Sequence, residues 1–327
     1  MIASMPPAGS FTSFRMTGRR LFAVWALAGL CALLPAAETS EPAPLAAQSL
    51  LLDVTRAGPR LVAVGDRGHV LLSDDEGRAW RQVVVPTQAM LTGVSFGDAT
   101  HGWAVGHDGV ILATSDGGIT WTRQDGGGDL ETIWLDVFFS DPLHGLVVGA
   151  YGKCQLTMDG GKTWQPAGAI PDEVHLNQIA PTATDRVYLA GEAGTLLTSE
   201  DARAGWTKLD VPYDGSLYGL VPLGGERLLV YGLRGNVFVS DDAGATWTRR
   251  ETAVPVLLMA GLQLKSGVTV LAGIGGNFYL SRDQAAHFAH WQPEAYHGGV
   301  SALLEATDGA LIVVGENGAA RLPLPLK

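Results

Sequence analysis

The sequence predicts an all-β fold: a seven-bladed β-propeller of four-stranded blades, closed by pairing of its N- and C-terminal segments. Three observations lead there. A Gly-x-x-Gly turn recurs with its first glycine at Gly65, Gly106, Gly149, Gly191, Gly232, Gly273 and Gly315, at intervals of 41 to 43 residues. In six of these units an aromatic residue stands twelve positions after the second glycine, at Trp80, Trp121, Trp164, Trp206, Trp247 and Phe288. Each unit also divides into short apolar runs bounded by Gly, Asp, Ser and Pro, which is strand patterning; no 3.6-residue period persists beyond the leader. A period of about 40 residues with four strands per unit is that of a propeller blade.

The chain opens with an export signature. Arg15, Arg19 and Arg20 precede the apolar run Leu21 to Leu34, and Pro35-Ala36-Ala37 supplies small residues for cleavage. Residues 1–37 therefore read as a signal peptide, with cleavage near Glu38 and a periplasmic destination. The apolar run of fourteen is short for a membrane span, which needs about 20 residues. What remains has 19 basic against 33 acidic residues. That balance disfavours nucleic acid and anionic lipid, whose recognition depends on clustered Lys and Arg. Cys154 is the only cysteine left, so neither a disulfide nor a thiolate metal site is expected.

Residues 38–48 (ETSEPAPLAAQ) read as a linker that also closes the ring. The seventh unit stops after three strands, and an open ring exposes an edge. Residues around Pro44 to Ser49 are expected to add the missing strand. The propeller itself spans residues 49–327. In its second unit the strands are expected at LTGVSF, HGWAVG, GVILATS and TWTRQ, starting at Leu91, His101, Gly109 and Thr120.

Between the third and fourth strands lies Ser/Thr-x-Asp-x-Gly-x-x-Trp, the Asp-box or BNR repeat of sialidases and other propellers. Asp75, Asp116, Asp159, Asp201 and Asp242 hold its acidic position. A carboxylate there accepts N–H groups of its own turn, so these residues are structural rather than catalytic. The sixth unit, SRDQAAHF, keeps Asp283 but carries Ala286 and Phe288 in place of Gly and Trp. Its hairpin is expected to be the least well formed.

The Gly-x-x-Gly turns share one face with the loops between blades, around the mouth of the central channel. Residues placed there include Asp66, Arg67, His107, Asp108, Glu192, Asp172, Glu173, Tyr213, His290 and Tyr296. From that face we take Trp134, Tyr151, Lys153, His175, Tyr218, Arg234 and His297 as the partner-binding set. Aromatics among scattered charges are the composition of protein-interaction surfaces. No His spacing fixes a metal, and no cofactor is expected. A sialidase-like glycosidase needs three converging arginines; Arg67 and Arg234 alone lie at mouth turns, blades apart. A glycan-binding or glycan-cleaving propeller is the alternative reading.

Seven such units behind an export signal, as in VGAYGKCQLTMDGGKTW from Val148 to Trp164, resemble the photosystem II stability/assembly factor family. The resemblance covers residues 48–323. It implies a monomeric, non-enzymatic scaffold without small-molecule cofactor, which holds an integral membrane protein or its assembly intermediate. It also implies, for bacterial members outside photosynthesis, a transporter of the resistance-nodulation-division type as client. The basic patch associated with photosynthetic members has no counterpart in these blade turns.

Overall fold

The computed structural model describes residues 38–325 apart from positions 127, 171, 172 and 185. The expected signal peptide and Asp172 thus lie outside the described residues. Glycine-rich turns every few residues leave the chain little room for anything but short strands. The first blade shows the pattern: Leu51–Ala57, Arg60–Gly65, Val70–Ser73 and Arg81–Val83 pair antiparallel in chain order. Five further blades repeat it, and the seventh has three strands, Val300–Glu305, Leu311–Gly315 and Gly318–Leu322. First strands meet first strands around the ring, and Leu51–Ala57 packs on Val300–Glu305 to complete it. The second unit's expected strands are found at Leu91–Phe96, Gly102–Gly106, Ile111–Thr114 and Thr122–Arg123. Among the described residues no helix is long and apolar enough to cross a membrane.

The core is a set of layers between neighbouring blades, because each blade buries both faces. Trp121 joins the layer between blades one and two, and Trp80 the layer between seven and one. At the junction of blades six and seven no Asp-box tryptophan is found among the described residues, though Trp291 of blade six packs there. There Leu324 packs into the layer, and Arg282 of blade six donates to the Pro325 carbonyl at 2.6 Å. The tail stands in for a missing Asp-box hairpin.

The expected closing strand is not formed. Ala46–Gln48 is a short 3-10 turn, and the segment before it turns to the outer edge of blade one. Ser40 donates its N–H to Val85 O at 2.8 Å, and Ala43 to Gln82 Oε1 at 2.7 Å. Pro42 and Pro44 explain the failure, since each removes a donor from any ladder the segment could make. Side chains close the seam instead. Arg56 pairs with Glu76 at 2.7 Å, and Glu76 Oε2 accepts the Thr307 N–H at 2.9 Å. Arg321 donates to Glu76 O at 3.1 Å, while Arg321 and Arg78 both engage Asp308.

The Asp-box carboxylates bind groups of their own hairpins, with one reversal of expectation. In blade two Asp116 accepts the Thr114 hydroxyl at 2.8 Å, the N–H groups of Ile119 and Thr120, and the Thr120 hydroxyl at 2.6 Å. Blade six keeps this scheme. Asp283 accepts the Ser281 hydroxyl and the His287 N–H, and the His287 ring replaces the usual threonine hydroxyl at 2.7 Å. The residue at its glycine position is Ala285, one place before Ala286, held at φ 62°. Blade four is the departure. Arg203 occupies the glycine position and captures Asp201 at 3.0 Å, so Ser199 turns to the Gly205 carbonyl at 2.7 Å. An arginine beside a carboxylate outcompetes backbone N–H groups for it.

Candidate functional site: the channel-mouth face

Each mouth turn is built by the same three devices. The first glycine lies against the carbonyl that precedes the blade's inner strand, where any Cβ would overlap that oxygen. The next residue donates its N–H to the same carbonyl, as Asp66 does to Leu50, Ala150 to Ile133 and Leu233 to Ser216, all at 2.9–3.0 Å. The second glycine takes a left-handed conformation, φ 60–75° in every blade. Between the glycines, Arg67, Asp108, Tyr151, Ala193 and Arg234 are also left-handed, at φ 51–59°. These five side chains are thrust outward at the turn tips, at a conformational cost. Blade seven differs: Gly315 pairs directly with Gly318, so its turn is one residue shorter.

One part of the face gathers several of the expected residues. Tyr151 is 66 % exposed and packs edge-on to the His175 ring, with centroids 4.9 Å apart. His175 Nδ1 lies 3.7 Å from Glu192 Oε2. Lys153 donates to Thr132 Oγ1 at 2.6 Å, and that hydroxyl donates on to Asp129 at 2.8 Å. The Thr132 hydroxyl and the Lys153 charge hold the Asp129 carboxyl below its usual range. These groups border a cleft of about 330 Å³ whose walls include Tyr151, Lys153, Ile170 and Glu173. Gln155 also lines it, and its buried Oε1 has no hydrogen-bond partner among the described residues. Leu130, 76 % exposed, belongs to the loop entering the same blade.

Trp134 is not part of the exposed set. It is fully buried at the first position of its inner strand, forming the floor of the cleft. Leu51, Leu91, Leu176, Leu217, Leu258 and Val300 hold the same position in other blades, each also fully buried. The position points between blades, so its aromatic is core. Lining up the seven repeats on that column would have shown this. Tyr218 is half-buried against the layer between blades five and six, at the bulge after Leu217. Arg234 is exposed at its turn tip, and His297 is exposed in the loop entering blade seven. Tyr151, Lys153 and His175 thus form one cluster, with Arg234 and His297 displayed on other blades of the same face. Burial pushes the Cys154 thiol up to about 12, so it is an inert wall group.

Beneath the mouth lies a feature that patterning missed. Asp53 accepts the N–H of Val54 and, across the blade boundary, of Val94, both at 2.8 Å. Asp136 accepts those of Val137 and, across the boundary between blades three and four, Ile179, both at 2.7 Å. Gln178 continues the scheme to Leu220 at 2.7 Å. Both aspartates are half-buried along the inner strands. Burial raises Asp53 to about 6, and burial together with the Asp53 charge raises Asp136 to about 8. Among the described residues no group of three or more His, Cys, Asp or Glu is arranged to hold a metal.

Comparison with known proteins agrees with the architecture. The family model described as photosynthesis system II assembly factor YCF48 matches residues 72–128 and 127–319. The chloroplastic photosystem II stability/assembly factor HCF136 of Cyanidioschyzon merolae is 49 % identical over 47 residues. That match covers 14 % of this chain and only 11 % of the relative. Among solved structures, YCF48 bound to a D1 peptide superposes with a TM-score of 0.71 at 19 % identity, covering 88 % of this chain and 97 % of that one. YCF48 from C. merolae gives 0.70 at 16 %, covering 86 % and 98 %. The WD40 propeller domain of Doa1 gives 0.67 at 13 %, covering 88 % and 95 %, so these likenesses speak to fold alone. With the family model spanning most of the propeller, the chain belongs to the photosystem II assembly factor YCF48 family.

Proposed function

We propose that this chain is a non-catalytic scaffold that binds a membrane protein, or its assembly intermediate, through the channel-mouth face. The observation that carries the reading is the cluster at blades three and four. A large aromatic held in a left-handed turn stands over a cleft, beside a lysine and an imidazole. A conformational cost spent on display is a mark of function rather than of packing. The solved YCF48 complex with a D1 peptide supports a membrane-protein segment as the ligand class. The chain's basic run and apolar stretch before Glu38 support export, and the compartment we propose for the protein is the periplasm. Where photosystem II is absent, the client we propose is a transporter of the resistance-nodulation-division type.

The test is capture from crosslinked, detergent-solubilised membranes, comparing the parent with a Tyr151→Ala/Lys153→Glu double variant. We expect an integral membrane protein with the parent and at least a tenfold loss with the variant, about 1.4 kcal/mol. Equal recovery by both would remove the cluster from the binding surface. Recovery of no membrane protein above a tag-only control would overturn the scaffold reading itself.

A further inference from the structure

Among the described residues the seventh blade has one strand fewer than the others, and the place of that strand is a groove. Gly318–Leu322 pairs with Leu311–Gly315 on one side only; among the described residues nothing pairs with its outer side. In the six other blades the third strand is covered there by an antiparallel strand of two or three residues, such as Arg81–Val83 or Thr248–Arg250. At the mouth end the groove is capped, since the backbone of Ala47 and Gln48 lies on Gly318. At the other end stand Arg321 and Asp308.

The chain does little to protect this edge. Native edges are blunted by charges, bulges or prolines within the strand. Here Ala319 and Ala320 are small and half-buried, and Arg321 is turned away onto Glu76 and Asp308. Prolines come only afterwards, at Pro323 and Pro325, where the tail has left for blade six. The strand is also longer than the third strands of the other blades, five residues against four. It presents more ladder than any of them, with less cover.

We propose that this edge accepts an extended segment of a partner polypeptide, added as the fourth antiparallel strand of blade seven. The occupant's form is set by the six fourth strands already present in the ring. Strand addition supplies main-chain hydrogen bonds, while side-chain fit supplies selectivity. A second copy of the chain does not fit. The edge is recessed by one strand, about 4.8 Å, between the outer strands Ala289–Trp291 and Arg81–Val83 of its neighbours. Two equally recessed edges cannot meet, whereas a single slender strand can enter. This surface lies apart from the mouth cleft and is independent of the client proposed for it.

The experiment is amide hydrogen exchange on the purified full chain, with and without a synthetic peptide copying Thr246–Thr252, the outer strand of blade five. Outward amides of Gly318–Leu322 are expected to exchange at least tenfold faster than the matching amides of Val237–Ser240, and to slow about tenfold with the peptide at about 1 mM. Along an antiparallel edge, alternate residues turn their N–H outward. Of Ala319→Pro and Ala320→Pro, the variant that melts like the parent identifies the outward position, and it should abolish the peptide's effect. Slow exchange without peptide would mean that the chain covers its own edge, and would overturn the proposal. So would peptide-independent exchange at the highest concentration. Protection that instead follows protein concentration, with a doubled mass, would replace the partner strand by a second copy.

Discussion

Tyr151 combines two tendencies that pull against each other. Its φ of 56° disfavours any side chain with a Cβ, yet the ring is exposed and stacked edge-on against His175. A glycine at that turn position would relax the backbone by about 1 kcal/mol while deleting the displayed ring. Tyr151→Gly should therefore melt no lower than the parent in calorimetry while losing client capture, a stability gain that costs activity. The neighbouring Gly149 behaves in the opposite way. A Cβ there would overlap the Ile133 carbonyl, so Gly149→Ala should destabilise by about 2–3 kcal/mol, read from denaturant midpoints. Glycine is dictated at the first position of the turn, whereas two residues later only blade six, with Gly275, has it. The first of these was legible in the repeat spacing. The burial of Trp134 was not, because a tryptophan following a polar loop looks the same whether it turns inward or out.

At the scale of the element, the Asp-box hairpins differ in what their carboxylates hold. Asp116 ties together the hydroxyls and N–H groups of both arms of its hairpin, whereas Asp201 serves only Arg203, two residues away. Asp116→Ala should lower the melting temperature by several degrees and Asp201→Ala by much less. A comparable loss in both would show that the blade-four carboxylate has a role this geometry does not contain. Sequence spacing located all six hairpins but misjudged which one departs. It weighted the lost tryptophan and glycine of blade six, whereas the scheme needs the serine, the aspartate and a donor four residues on. His287 supplies that donor as well as threonine does, and Ala79 in blade one supplies it through its backbone N–H alone, so it is Arg203 at the glycine position that sets blade four apart.

At the scale of the whole molecule, the inner strands are joined by carboxyls that have no cationic partner among the described residues. A carboxyl whose folded pKa is raised binds more protons folded than unfolded between its two values, so its contribution to stability falls as pH rises. For Asp53 and Asp136 that window runs from about 4 to about 8. His69 opposes them, since burial lowers its pKa and charging it below 6.5 destabilises the fold. The parent should become more stable on mild acidification, and Asp136→Asn should flatten that slope in melts taken from pH 8 to pH 5. A slope unchanged in the variant would place the response elsewhere. None of this was readable beforehand. An aspartate in an alternating strand signals a solvent face, and only ring closure turns that face inward. The seam between blades seven and one has a consequence of its own. Because no strand is shared between the chain's two ends, blade one holds all four of its strands within residues 51–83. A nascent chain can therefore finish each blade in the order it is threaded out, without waiting for its last residues. The final step is then a docking of two preformed surfaces by ions and apolar contact. Its rate should respond to ionic strength, as a clasp would, rather than to the slow search of strand exchange.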